Sequence, residues 1–436
     1  MKKPYVDMRS YLPQLSLKER DRRWAAVRGE MGLNDLDCLL VIGNDRFFGY
    51  GNANVRYLTQ TDGQRMGAAV IFPLEGLPIV FGTPPHMHDK PFPVYKAFNS
   101  WVSETRSMSG LKPVIDAITA MGYEQATIGL VSFKGSWKSG TISYQEHETL
   151  LTGLPHARFI DATALLDRVR MSKSPEEIEM LKRSGEITRA KMEAMIRMAR
   201  PGVKECELFA EMVKTEISMG GEAFVFNLLA SGSVTDTSCT QHLLHGRAQS
   251  LSPTTRPLTK GDLIITEFHT SYGGYLTGYE KSVFLGKPPK ELRRIHDVAV
   301  ECLEAGIERL RPGVTIGEAL EGFRRPARKA GIDYVELGFH GHGLASPEFP
   351  TMVYPEKSAK TGEAARPSRA EVGRYGIPSI ELKENMVLST NIDIHDPSWR
   401  NDVGIMGPGE TVWISQRGPV RLIGASTEFT CINVNV

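Results

Sequence analysis

The chain has 436 residues, 52 Lys and Arg against 51 Asp and Glu, and a formal net charge of +1. Hydrophobic residues at 41% and charged ones at 24% are ordinary for a soluble globular protein, and the length suffices for two domains and a large core. Near-neutral charge gives no electrostatic reason to expect nucleic acid or an anionic membrane as partner, and no apolar run approaches the ~20 residues that span a bilayer.

The N-terminus, Met1-Lys2-Lys3-Pro4-Tyr5-Val6-Asp7, lacks the apolar region of a signal peptide. Short apolar runs then alternate with amphipathic stretches, as in α/β layers. Residues 38–42, 68–72, 78–81 and 127–131 are predicted strands, and 111–121 is a predicted helix. A domain boundary is expected after residue 165, giving domains 1–165 and 166–436. Ser174-Pro175-Glu176-Glu177 is a helix start, with Ser as cap, Pro in the first turn and Glu closing a capping box. Ile178, Leu181, Met192, Met195 and Ala199 follow on helical spacing, and Arg200-Pro201-Gly202 ends the helix. Five cysteines (Cys38, Cys206, Cys239, Cys302, Cys431) show no CxxC spacing. An odd number without a disulfide framework points to a reducing, cytoplasmic setting.

The second half carries an internal repeat. Pro201-Gly202-Val203 precedes Glu207 and a helix around 208–217, while Pro312-Gly313-Val314 precedes Glu318 and a helix around 319–330. Residues 261–267 and 385–391 each open a strand. Two αβ halves related in this way would share a central cleft. The polar stretch 353–380 reads as a solvated loop, or as a lid over that cleft.

Three motifs follow one another: Gly261-Asp262-Leu263-Ile264-Ile265-Thr266-Glu267 leading to Gly278-Tyr279-Glu280-Lys281, then Phe339-His340-Gly341-His342-Gly343, then Met386-Val387-Leu388-Ser389-Thr390-Asn391. Their order and spacing resemble the pita-bread family, which includes methionine aminopeptidases, Xaa-Pro peptidases, prolidases and creatinase. The resemblance implies an α/β (α+β) fold: an N-terminal creatinase-like α/β domain, then a C-terminal pita-bread domain with an internal pseudo-twofold repeat. In the family's metallopeptidases two Asp, one His and two Glu hold a pair of divalent metals. Those five positions read Glu267, Gly278, His340, Asn391 and Gly409 here. One carboxylate and one imidazole do not offset two dications, and a single zinc would lack its usual third protein ligand. The expectation is therefore no metal and no cofactor, as in creatinase.

Creatinase hydrolyses an amidine C–N bond, and its residues carry over by position. Glu280 matches a guanidinium-binding glutamate; beside Lys281, it also reads as a solvent-facing strand carboxylate. Arg65, before the second strand, matches an N-domain arginine that binds the substrate carboxylate from the other subunit, so a homodimer is implied. The acid/base histidine corresponds to His245, with His242 the neighbouring candidate, since an imidazole exchanges protons near neutrality. His340 would polarise the reacting group, and Glu267 is an alternative base. The second guanidinium-binding glutamate is Asn391, which suits a neutral amide, ureido or lactam group better than a cation. The second carboxylate-binding arginine falls at Thr351, and the motif's second histidine at Pro347. The expected function is metal-independent hydrolysis of a non-peptide C–N bond in a small molecule. Two other readings stand beside it. One is a non-catalytic binding module. The other is a metallopeptidase or metallolyase whose ligands shift to Asp393, Asp396, Glu410 or Glu428.

Overall fold

The structure is a computed structural model and describes residues 13–43, 50–61, 67–83, 101–131, 142–222, 226–235, 253–351 and 377–434. Arg65, Cys239, His242, His245 and most of the 353–380 stretch lie outside the described residues. The chain divides into two compact units, Met1–Glu177 with Leu344–Phe349, and Ile178–Gly343 with Pro350–Val436.

The first unit opens with α1 (Leu17–Leu33), whose cap Ser16 accepts from the Glu19 backbone N–H. Then come β1 (Cys38–Gly43), α2 (Ala53–Thr59), β2 (Ala68–Pro73), β3 (Ile79–Thr83) and β4 (Glu104–Ser107). They are followed by α3 (Lys112–Ala120), β5 (Thr127–Val131), α4 (Tyr144–Gly153), β6 (Arg158–Asp161) and α5 (Thr163–Met171). The sheet order is β4-β3-β2-β1-β5-β6, mixing antiparallel pairs (β1 with β2, β2 with β3) and parallel ones (β1 with β5, β5 with β6). All of β1 and β2 is buried, so they read as unbroken apolar runs rather than alternating ones. Val114, Ala117 and Ile118 of α3 pack into the same cluster as Leu40, Ile71 and Leu130. The four predicted strands and the helix are present; β4 and β6 are additional short strands.

The predicted capping box opens α6 (Pro175–Met198): Glu177 N–H donates to Ser174 Oγ at 3.2 Å, and Ser174 N–H to Glu177 Oε2 at 2.9 Å. The second unit continues with α7 (Glu205–Ser218), β7 (Asn227–Ser233), β8 (Asp262–Tyr272), β9 (Tyr275–Leu285), α8 (Lys290–Ile307), α9 (Ile316–Ala330) and β10 (Asp333–Gly341). After β11 (Glu348–Thr351) come β12 (Val387–His395), β13 (Ile405–Met406), β14 (Glu410–Ser415), β15 (Gly418–Arg421) and β16 (Thr430–Ile432). One sheet runs β16-β9-β8-β7, and in the other β10-β12-β14-β15 are neighbours with β13 on β12.

The repeat is physical. Gly202 N–H donates to Leu258 O at 2.9 Å, and Leu258 N–H to Val203 O at 2.8 Å. In the other half Gly313 N–H donates to Leu382 O at 2.9 Å, and Leu382 N–H to Val314 O at 2.8 Å. Gly261 (φ +93°) and Asn385 (φ +67°) hold the same left-handed turn before β8 and β12; Asn is among the few residues besides Gly that tolerate it. Glu267 and Asn391 are therefore equivalent positions of the two halves.

Candidate active site

Gly273 and Gly274 (φ +59° and +84°) form a two-residue hairpin turn of the left-handed kind that glycine accepts. The turn sets the β8–β9 register: Tyr272 opposite Tyr275, His269 opposite Gly278, Glu267 opposite Glu280. Opposed residues of an antiparallel pair share a face, so Glu267, His269 and Glu280 lie together. In the β10–β12 pair, His340 faces Ser389, Gly338 faces Asn391 and Glu336 faces Asp393. The side chains of Glu267, His269, Glu280, Glu336, His340, Asn391 and Asp393 are all buried.

Glu280, only 1% exposed, joins the two sheets. Its Oε1 accepts from Asn391 Nδ2 at 3.0 Å and its Oε2 from the Ile392 N–H at 2.7 Å. Its own backbone oxygen accepts from Gly409 N–H at 3.0 Å. The solvent-facing alternative for Glu280 does not hold. Lys281 turns elsewhere and donates to the backbone oxygens of Ser426 (3.1 Å) and Glu428 (3.0 Å).

His269 belongs to this face and was not singled out in the sequence. A Cβ on Gly278 would meet its Cδ2 at 2.7 Å and its Nε2 at 2.9 Å. The imidazole fills the space a side chain at 278 would take. Its ring stands edge-on to His342 at 5.1 Å, and its Nε2 is 3.8 Å from Glu267 Oε1. Behind it, buried Lys191 donates to His269 O (2.8 Å), Glu216 Oε2 (2.6 Å) and Asn227 Oδ1 (2.7 Å), which fixes this part of β8. The signal was available in the Gly273-Gly274 turn, since the register it imposes places His269 opposite Gly278.

Burial, with Glu336 nearby, holds the Glu267 carboxyl well above the ordinary carboxylate range, against a hydrogen bond from Asn391. Burial also holds His269 well below the usual histidine value, helped by His340 and Lys191. Burial thus biases Glu267 toward its protonated form and His269 toward a neutral ring. Nδ1 of His340 lies 3.1 Å from Gly341 O, and Nδ1 of His342 lies 3.1 Å from Leu276 O. A carbonyl oxygen only accepts, so in each neutral ring Nδ1 carries the proton and Nε2 is the basic nitrogen.

Residues 179–421 match the metallopeptidase family M24, and residues 23–172 match the creatinase/prolidase N-terminal domain. The chain belongs to family M24. Its relatives include an ectoine hydrolase from Halomonas elongata, 28% identical over 202 residues that cover 43% of this chain and 49% of that protein. A Xaa-Pro dipeptidase from Pyrococcus furiosus is 25% identical over 294 residues, covering 66% and 74%. A Xaa-Pro dipeptidase structure from Bacillus anthracis superposes with a TM-score of 0.71 at 18% identity, covering 95% of this chain and all of that one. The fold is thus the pita-bread fold expected of the family, and M24 proteins are hydrolases.

Family M24 implies a metal pair, but this residue set does not fit one. Gly278 offers no ligand, and the His269 ring occupies its side-chain space. A Cβ at Gly409 would come within 2.8 Å of the Glu280 backbone nitrogen, so this M24 position has no room for a carboxylate. Of the carboxylates of a shifted frame, Glu410 and Asp396 are engaged otherwise and Glu428 lies at the surface, whereas Asp393 is fully buried opposite Glu336. Glu410 accepts from the backbone N–H groups of Thr411, Ile423 and Gly424. Asp396 accepts from Ser398 and Arg294, and Glu428 is exposed. Among the described residues no three His, Cys, Asp or Glu side chains are grouped to hold a metal ion.

Proposed function

We propose that the protein is a metal-independent hydrolase of a non-peptide C–N bond in a small molecule, of the amidine, cyclic or N-substituted amide, or ureido class. The observation that carries this reading is the filled metal frame: the His269 ring beside Gly278, and Glu280 bonded to Asn391 and Ile392 where Gly409 leaves no ligand. The similarity to an ectoine hydrolase, named for a substrate that is not a peptide, supports the same class.

Roles follow from hydrogen bonding and burial. With Nδ1 turned to the Gly341 oxygen, the neutral form of His340 would offer the lone pair of Nε2, which suits proton abstraction from water. Glu267, biased toward its protonated form by burial, suits the opposite task. Water attacks the carbon as its proton passes to a histidine, the C–N bond breaks, and the departing nitrogen takes a proton from Glu267. The histidine's proton then restores Glu267. His245, with His242 as the neighbouring choice, remains a proposed acid/base in this scheme. Glu280 and Asn391 hold the electrophilic group. Arg65 of a partner protomer in a homodimer anchors a substrate carboxylate.

The test is metal content after incubation with manganese, cobalt and zinc, followed by assay of cyclic amidines, N-acyl and ureido acids and Xaa-Pro dipeptides, with and without EDTA. Hydrolysis of a non-peptide substrate, unchanged by EDTA and at negligible metal content, is expected. Xaa-Pro cleavage that EDTA abolishes would overturn the reading.

A further inference from the structure

Asn391 is 4% exposed, and its side-chain amide sits between two carboxyl groups. One amino hydrogen goes to Glu280 Oε1 at 3.0 Å. Asn391 also acts on the Glu267 carboxyl, in the sense that favours its carboxylate form. The bond to Glu280 turns the amino side of the amide toward that carboxylate. This fixes the orientation of the amide, because turning it over would set Oδ1 against the Glu280 carboxylate. Oδ1 is left buried with no hydrogen-bond partner among the described residues. A buried acceptor without a partner is costly and calls for a donor that arrives from elsewhere.

We infer that Asn391 Oδ1 is the specificity-determining acceptor of the site and receives an N–H of the substrate's C–N group. The inference rests on the reading of the site as a binder of a C–N electrophile. It narrows the substrate to primary or secondary amide, amidine or ureido nitrogen. It also sets this chain apart from cleavage of an Xaa-Pro bond, whose tertiary nitrogen carries no hydrogen. Family metallopeptidases have a metal-binding glutamate at this position, whereas an amide pinned through its NH2 group can only present its oxygen. A site built to receive an N–H rejects the analogue without it by on the order of 10⁴-fold in kcat/KM.

The experiment needs neither turnover nor a known substrate. Saturation-transfer NMR on the full chain compares N-methylacetamide, which has one N–H, with N,N-dimethylacetamide, which has none. The expected result is a signal from the first alone, lost in Asn391→Leu. Equal signals from the two amides, no signal from either, or a contrast that survives in a folded Asn391→Leu would each overturn the inference. If that variant does not fold, the contrast in the unaltered protein decides alone. The hydrolase reading fails separately, on metal content and EDTA sensitivity.

Discussion

Glu280 and Asn391 are coupled, so their substitutions should not behave alike. Replacing Glu280 with Leu leaves the Asn391 amide and the Ile392 N–H without their acceptor. Each buried donor left unpaired costs about 1–3 kcal/mol. Glu280→Gln keeps one acceptor. It should lose less stability in urea denaturation while losing activity as fully. Glu267 gives a pH signature. Its folded pKa is raised above the ordinary 4.5, so the folded state holds a proton that the unfolded state has lost, and stability falls as pH rises from 4.5 through the folded value. Glu267→Gln should remove that slope, raising stability near neutrality, and should also remove the alkaline limb of the pH–rate profile. An unchanged alkaline limb in Glu267→Gln would dismiss Glu267 as the proton donor.

At the scale of elements, the β8–β9 hairpin and its contact with β12 make the site, with His340 added from β10. Gly278 and Gly409 both lack room for a methyl group, but against different neighbours. At 278 the obstacle is the His269 ring, which can rotate; at 409 it is the Glu280 backbone nitrogen at 2.8 Å, which cannot. Overpacking of this kind costs about 1–3 kcal/mol, and Gly409→Ala should exceed Gly278→Ala. Thermal melts of the two variants would show it, and the reverse order would contradict the packing described. The elements legible in sequence were those with apolar runs or punctuation, such as β1, β2 and the Ser174 to Glu177 capping box. Glu104-Thr105-Arg106-Ser107 forms β4 without any apolar residue. It is a strand because it pairs with β3, which local composition does not encode. His269 was missed for a related reason: its role depends on the residue opposite it across the hairpin.

At the scale of the whole molecule, each unit has its own buried polar anchor. In the second it is Lys191 with Glu216 and Asn227. In the first it is Glu348, which pairs with Arg170 and Lys173. Burial works against the Glu348 carboxylate, but Lys173 and Arg170 outweigh it and lower its pKa. Its contribution is present above the ordinary 4.5 and is lost as pH falls through the lower folded value. Glu348→Gln strands two buried cations and should cost about 3–5 kcal/mol, read as a lower urea midpoint at pH 7; a midpoint within error of the parent would refute the pairing. Light scattering should give twice the chain mass if Arg65 acts across a homodimer, and a monomer would remove that role.

The sequence by itself determined the family frame, the internal repeat and the absence of carboxylates at 278, 391 and 409, because motif spacing and residue identity are local properties. Only the tertiary structure decided what took their place. The His269 ring occupies the space beside Gly278, Glu280 turns inward to Asn391 and Ile392, and the Asn391 amide is fixed with its oxygen outstanding. These are contacts between strands far apart in the chain. Their directions follow from register and packing between the sheets, which no single segment specifies.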